Sequence, residues 1–262
     1  MDQNVAETIL DAVRSANQLV TVGNDRFLVV PSGYEAKDLE FLGTGPRRIN
    51  KSVGFHRLDS LCRYILEFKD DTTIVLINQQ TGYVSCTLDY HAPDGPAWCG
   101  HTATFSPVPT EEWKRWWNKN GVSLSQRELA EFIEENAPDI VDPPSAELLD
   151  VARSLTARMN VNFKRAIVLE DDTVQLAFEE TIEAKAGAKG TLDIPSSFVV
   201  NIAVFAGGLV APLEVRLRYS IKEGMLSFRL VLVRPHKQIE QAISHIAAEI
   251  ETVTKIKPYY GS

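Results

Sequence analysis

Asp89, His91, Asp94, Cys99 and His101 fall in one short stretch, and each is a residue type that binds metal ions. Imidazole, thiolate and carboxylate groups build zinc and iron sites, and such a site with an open position activates water for hydrolysis. His91, Asp94 and His101 are the candidate ligands, and a metal-dependent hydrolase is one reading of the chain. Strand parity tests it. Val84, Cys86, Leu88 and Tyr90 take alternate positions, as do Cys99, Ala103 and Phe105. Tyr83 to His91 and Trp98 to Ser106 therefore read as a hairpin turning at Pro93-Asp94-Gly95-Pro96. Their apolar faces coincide only where paired residue numbers sum to an odd value. His91 then shares the polar face with Trp98, while His101 and Cys99 share the apolar face with Leu88 and Tyr90. A bulge at Gly100 would be needed to move one histidine across. The competing account is a buried His101 bonded to a backbone carbonyl or to Tyr90, with His91 orienting the turn.

Arg216, Arg218, Lys222 and Arg229 supply a second chemistry, the binding of anions or nucleic-acid phosphates. Pairing Ile221 with Leu226 across Glu223-Gly224 also sets Tyr219 against Phe228 and Leu217 against Leu230, so one face is wholly apolar. The other face places Arg218 across from Arg229, beside Arg216 and Lys222. Like charges directly opposite are unfavourable, so acidic groups are expected to answer them. Glu179 or Glu183 would do so from within the chain; a phosphate backbone or an acidic surface would do so from outside. Glu180 falls on the apolar side of its own strand. A carboxylate there has a raised pKa or an Arg165 partner, which makes it the candidate perturbed acid.

Around these residues the pattern alternates between helix and strand. Val5, Ile9, Val13 and Ala16 mark an amphipathic helix over 4–16, followed by a small hairpin turning at Gly23-Asn24-Asp25. Gly43 to Ser52 combines breakers with basic residues and reads as an exposed loop, either a solvated linker or a phosphate-binding one. Leu58, Leu61, Ile65 and Phe68 mark a second helix. Thr73 to Asn78 is nearly continuous apolar and β-branched, as expected of a strand covered on both faces. Thr110 is an N-cap for a helix whose Trp113, Trp116 and Trp117 share a face, for packing or for stacking on bases, and Asn120-Gly121 stops it. Ser125 with Glu128 makes a capping box for the next helix. Val141-Asp142-Pro143-Pro144 breaks the chain and Ser145 caps a further helix. Strands follow at 163–169, 173–182, 198–205, 215–221 and 226–233, with Asp171-Asp172 as one tight turn. A terminal helix from about Lys237 to Val253 carries the apolar stripe Ile239, Ile243, Ile246, Ile250 and Val253, to cover the sheet or to bind another subunit.

The expected fold class is α+β: mixed helices, an N-terminal region containing a β-hairpin, and a C-terminal, mainly antiparallel sheet covered by a terminal helix. A boundary at Pro143 divides 1–142 from 143–262, or the two run on as one domain. The chain has 262 residues, is 44% hydrophobic and carries a formal charge of -8, so it holds a sizeable core, and the charge argues against a dedicated duplex-DNA binder while leaving room for a local basic patch. Phe198 to Leu213 is too short and too interrupted to span a bilayer, and reads as two buried strands joined by a turn. The first residues lack the layout of a secretory signal, and three cysteines make no disulfide framework, so a cytoplasmic location without membrane attachment is expected.

Several blocks occur in a telling order: DYH from Asp89, WCGHTATF from Trp98, TEEWKRWW from Thr110 and SQRELAEFIEENAPDI from Ser125. FEE from Phe178, VFAGG from Val204 and RLRYSIKEGMLSFRLVLVRP from Arg216 to Pro235 follow. Together they resemble the YfdQ-like family of phage and prophage proteins of unknown function, over most of the chain from Tyr83 to Pro235. The resemblance implies a phage- or prophage-encoded protein made inside the bacterial host, often encoded near recombination and replication genes. It supplies no catalytic residues and no cofactor, and the family pattern does not require a cysteine at position 99. The leading reading is a non-catalytic accessory protein acting by binding or self-assembly, as a homo-oligomer or on a host or phage protein. The alternative is a single-stranded nucleic-acid-binding factor in phage recombination or replication.

Overall fold

In the computed structural model, residues 44–151, 195–220 and 227–261 are described in full. The backbone alone is described at 19–22, 25–28, 152–157, 161–168, 173–180, 189–194, 221–222 and 225–226. The chain forms two compact units, Met1–Asn50 and Lys51–Ser262. In the first, β1 (Leu19–Val22) and β2 (Asp25–Leu28) make the expected hairpin with Val22 opposite Asp25. The helix expected over 4–16 lies outside the described residues.

The second unit contains a mixed five-stranded sheet in the order β15-β4-β5-β6-β3. Its members are β3 (Lys51–Phe55), β4 (Ile74–Ile77), β5 (Val84–Thr87), β6 (His101–Phe105) and β15 (Tyr259–Tyr260). Cys86 pairs with Ala103 and Val84 with Phe105, so the odd-sum register holds. Val75, Ile77, Val84, Cys86, Ala103 and Phe105 form its buried face. Helix α1 (Leu58–Phe68) packs there through Leu61, Cys62 and Ile65. The opposite face carries Ser85, Thr87, Thr102 and Thr104, all half-buried, and Leu76 is 37% exposed. β4 is therefore covered on one face, because the helices of this sheet lie on one side. Its run of apolar residues reflects β-branched preference as much as burial.

An antiparallel five-stranded sheet follows the order β7-β14-β13-β12-β8. It is built from β7 (Ser123–Ser125), β8 (Ile140–Asp142), β12 (Ser197–Ala203), β13 (Val210–Lys222) and β14 (Met225–Leu232). A separate antiparallel sheet contains β9 (Val161–Val168), β10 (Thr173–Glu180) and β11 (Lys189–Pro195), with β10 central. The turn expected at Asp171-Asp172 lies outside the described residues. Phe198, Val200, Ile202, Leu213, Val215, Leu217, Phe228, Leu230 and Leu232 make the apolar face of the five-stranded sheet.

Two capped helices close that face. The Thr110 hydroxyl accepts the Trp113 N–H and opens α2 (Glu111–Lys119), while Asn120 and a left-handed Gly121 end it. Trp116 is 1% exposed, packs against Phe132 and Phe198, and donates its indole N–H to Asp139 at 2.8 Å. Ser125 and Glu128 form the reciprocal capping box of α3 (Gln126–Glu135). These tryptophans are packing groups, except that Trp117 stays 45% exposed and stacks on Trp113. α4 (Ser145–Ala157) follows, with Ser145 as its first residue. α5 (Pro235–Thr254) begins at Pro235, where a missing N–H is harmless. Its Ile243, Ile246 and Ile250 are buried; it lies against α1 and also touches β13. The ε-amino group of Lys69 ties α5 to the region after α1 by donating to the Thr254 carbonyl at 2.7 Å. Gly82, at φ +71, sits close under α5: a Cβ there would lie 3.2 Å from Pro107 and 3.3 Å from Ile243.

Candidate functional site

The register read from the sequence for the arginine hairpin is the register observed. Ile221 pairs with Leu226, Tyr219 with Phe228, Leu217 with Leu230, and Arg218 with Arg229. Side chains directly opposite in an antiparallel pair share a face, so Arg218 and Arg229 both lie on the face turned away from α2 and α3. Both residues are exposed. The third strand extends this row, because Ser123 of β7 pairs with Arg229. The adjacent row is Ser125, Ser227 and Ser220, with the Ser220 and Ser227 hydroxyls 2.8 Å apart. Ser123, Arg218, Ser220, Ser227 and Arg229 line a concavity of about 240 Å³.

Arg216 is answered from its own strand. Its Nε donates to Glu214 Oε1 at 3.1 Å, two residues back on the same strand. Among the described residues no carboxylate meets Arg218 or Arg229. Glu179 and Glu180 end β10 in a different sheet, Glu179 opposite Asn162 and Glu180 opposite Val161. Their side chains, those of Arg165 and Lys222, and all of Glu183 lie outside the described residues. Arg218 and Arg229 are thus two like charges on one face with no facing carboxylate among the described residues, and Ser123, Ser220 and Ser227 share that face. Of these serines, Ser220 and Ser227 were legible by period two and register. Ser123 was not, because only the pairing of β7 with β14 brings it there.

The histidine stretch resolves into two separate sites. His101 is 5% exposed and lies on the buried face, as parity requires. Its Nε2 is 2.8 Å from the Tyr64 hydroxyl, and its ring meets Tyr64 and Phe68 edge-on. The partner thus comes from α1, and not from Tyr90 or a backbone carbonyl. His91 is exposed and orients the turn: its Nδ1 accepts the Ala97 N–H at 2.9 Å. Asp94 sits in the tight turn closed by Ala92 and Gly95. The Asp89 carboxylate accepts the N–H groups of Gly100 and His101 at 3.0 and 2.9 Å. Cys99 departs from the parity reading. It adopts φ +52, which turns it off the apolar face and leaves its Sγ 3.5 Å from His91 Nε2. Among the described residues no three His, Cys, Asp or Glu side chains gather as a metal-binding group.

The sequence profile of a family described as "Uncharacterized conserved protein (DUF2303)" matches residues 2–262. No curated protein and no solved structure matches the chain. Among the described residues no helix is long and apolar enough to cross a membrane.

Proposed function

The chain belongs to the DUF2303 family of uncharacterized conserved proteins, and on that premise we propose a phage- or prophage-encoded accessory protein that works in the bacterial cytoplasm by binding. Its ligand-holding surface is the arginine face of the antiparallel sheet, and its ligand is the phosphate backbone of a single-stranded nucleic acid. The resemblance of the DYH, WCGHTATF and RLRYSIKEGMLSFRLVLVRP blocks to phage proteins supports the origin. The observation that carries the binding role is Arg218 held opposite Arg229 at the edge of a concavity, with no internal carboxylate in reach among the described residues.

Charge and shape favour a single strand over a duplex. A net charge of -8 repels a long polyanion everywhere except at local basic patches. A concavity of about 240 Å³ accommodates a phosphate or two, which a flexible single strand presents more readily than a stiff duplex.

Fluorescence anisotropy of a labelled single-stranded oligothymidine at low salt tests the reading. Binding is expected to weaken steeply with salt and to drop about tenfold or more in the double variant Arg218→Ala with Arg229→Ala. Absence of binding, or binding indifferent to the double substitution, refutes it. A duplex of equal length is expected to bind more weakly.

A further inference from the structure

The mixed sheet turns one face away from its helices, and no charged residue stands in that face's strand rows. Paired strand residues share a face, so Tyr259, Leu76, Ser85, Thr104 and Gly54 form one row across β15, β4, β5, β6 and β3. Ile74, Thr87, Thr102 and Ser52 form the next row. The Asn78 N–H donates to the Tyr83 carbonyl at 2.9 Å, which carries the ladder of β4 and β5 one residue further. By alternation with Ser85, Tyr83 joins the same face.

Two aromatic side chains stand out from that face. Tyr259 is 64% exposed and Tyr83 40%. Leu76, 37% exposed, pairs with Tyr259 on one side and lies diagonal to Tyr83 on the other. Tyr259 is held from both sides: Pro258 before it is buried, and the Gly261 N–H after it donates to the Ile77 carbonyl at 3.0 Å. The strap leading to it is fixed where the Ile256 N–H donates to Thr254 Oγ1 at 3.2 Å. Lys255 and Lys257, on this strap, are both exposed.

We propose that this face is a base-stacking platform for single-stranded nucleic acid. A base is a flat, uncharged ring with hydrogen-bonding edges, and sheet-borne aromatic side chains stack such rings. Tyr259 and Tyr83 are the stacking residues, and the half-buried Ser85 and Thr104 hydroxyls are the partners for base edges. A charged ligand would meet no counter-charge along these rows. The phosphates that accompany bases find theirs in Lys255 and Lys257, on the strap that enters the sheet as β15. The proposal rests on single-strand binding by the chain and adds contact with the bases, which a phosphate-holding arginine face does not supply.

The test uses the full chain with labelled oligothymidine and with an abasic strand of equal length, read by anisotropy. Tyr83→Ala with Tyr259→Ala is expected to weaken oligothymidine binding about tenfold and to leave its salt dependence unchanged, since stacking releases no counterions. The abasic strand is expected to bind that variant and the parent alike. Tyr259→Phe, which keeps the ring, should bind as the parent does. Lys255→Ala with Lys257→Ala should lessen the slope of log K against log salt by about 1.4. Oligothymidine binding that weakens in Arg218→Ala with Arg229→Ala, yet is indifferent to the tyrosine substitutions, overturns this inference alone. Absence of any binding overturns the proposed function with it. An equal loss for the abasic strand also overturns the platform, because the tyrosines would then act through the fold.

Discussion

The Tyr64 hydroxyl and the His101 imidazole meet at 2.8 Å although they lie 37 residues apart, one on a helix and one on a strand. The contact joins α1 to β6 within the buried face of the mixed sheet and satisfies a histidine that is 5% exposed. Tyr64→Phe keeps the ring contacts with Phe55, Phe68 and His101 but leaves the imidazole without that partner. A loss of about 1–3 kcal/mol is expected, the cost of stranding a buried polar group. Urea unfolding measures it, and an unchanged midpoint would show the bond to be dispensable.

Trp116 anchors the second core. Trp116→Ala removes contacts with Phe132 and Phe198 and strands Asp139, at an expected cost of about 3–5 kcal/mol. Trp116→Phe keeps most of the ring volume and should lose less. Equal losses in the two variants would mean that the Asp139 hydrogen bond, and not the packing, dominates.

Arg218 and Arg229 predict a trade of stability against binding. Like charges directly opposite on a sheet oppose folding, so Arg218→Ser is expected to stabilise the protein by about 0.2–1 kcal/mol while weakening single-strand binding. Thermal unfolding and anisotropy on one preparation read both quantities. A variant that is destabilised and still binds normally would assign the arginine a packing role through its aliphatic stem.

Stability should fall at both ends of the pH scale. The hydrogen bond from Arg57 holds Asp59 down to about 2, and hydrogen bonds from Thr72, Lys114, the Ser125 backbone and Lys237 lower Asp70, Glu111, Glu128 and Glu240. A carboxyl depressed in the folded state contributes fully above its unfolded value and loses that contribution as pH falls through the folded one. Acid destabilisation is therefore expected from roughly pH 5 down to roughly pH 2, lessened in Asp59→Asn and by salt, since these groups are exposed. At the other end, Cys62 and Cys86 are raised from an ordinary 9.0, so their contribution is complete below that value and disappears as pH rises through about 11 and 12. Denaturant midpoints across pH, at low and high salt, check both limbs.

What the sequence determined by itself is everything that depends on near neighbours or on periodicity. The caps at Thr110 and Ser125 follow from side chains that bond their own helix's first turn. The registers of β5 with β6 and of β13 with β14 follow from apolar alternation, because a slip of one residue would turn a buried face to water. That is why Arg218 could be placed opposite Arg229, and His101 inside, without coordinates. Tertiary structure decided the rest. β3, β7, β8, β11 and β15 carry little pattern of their own, and β7, β8 and β15 span only two or three residues; pairing with a neighbour makes them strands. Ser123 reaches the arginine face only through such an edge. Tyr64 finds His101, and Cys99 turns toward His91, because packing and a pinned turn override local alternation there. Where the chain meets itself at a distance, residue type states only what a group needs, and the fold decides what it gets.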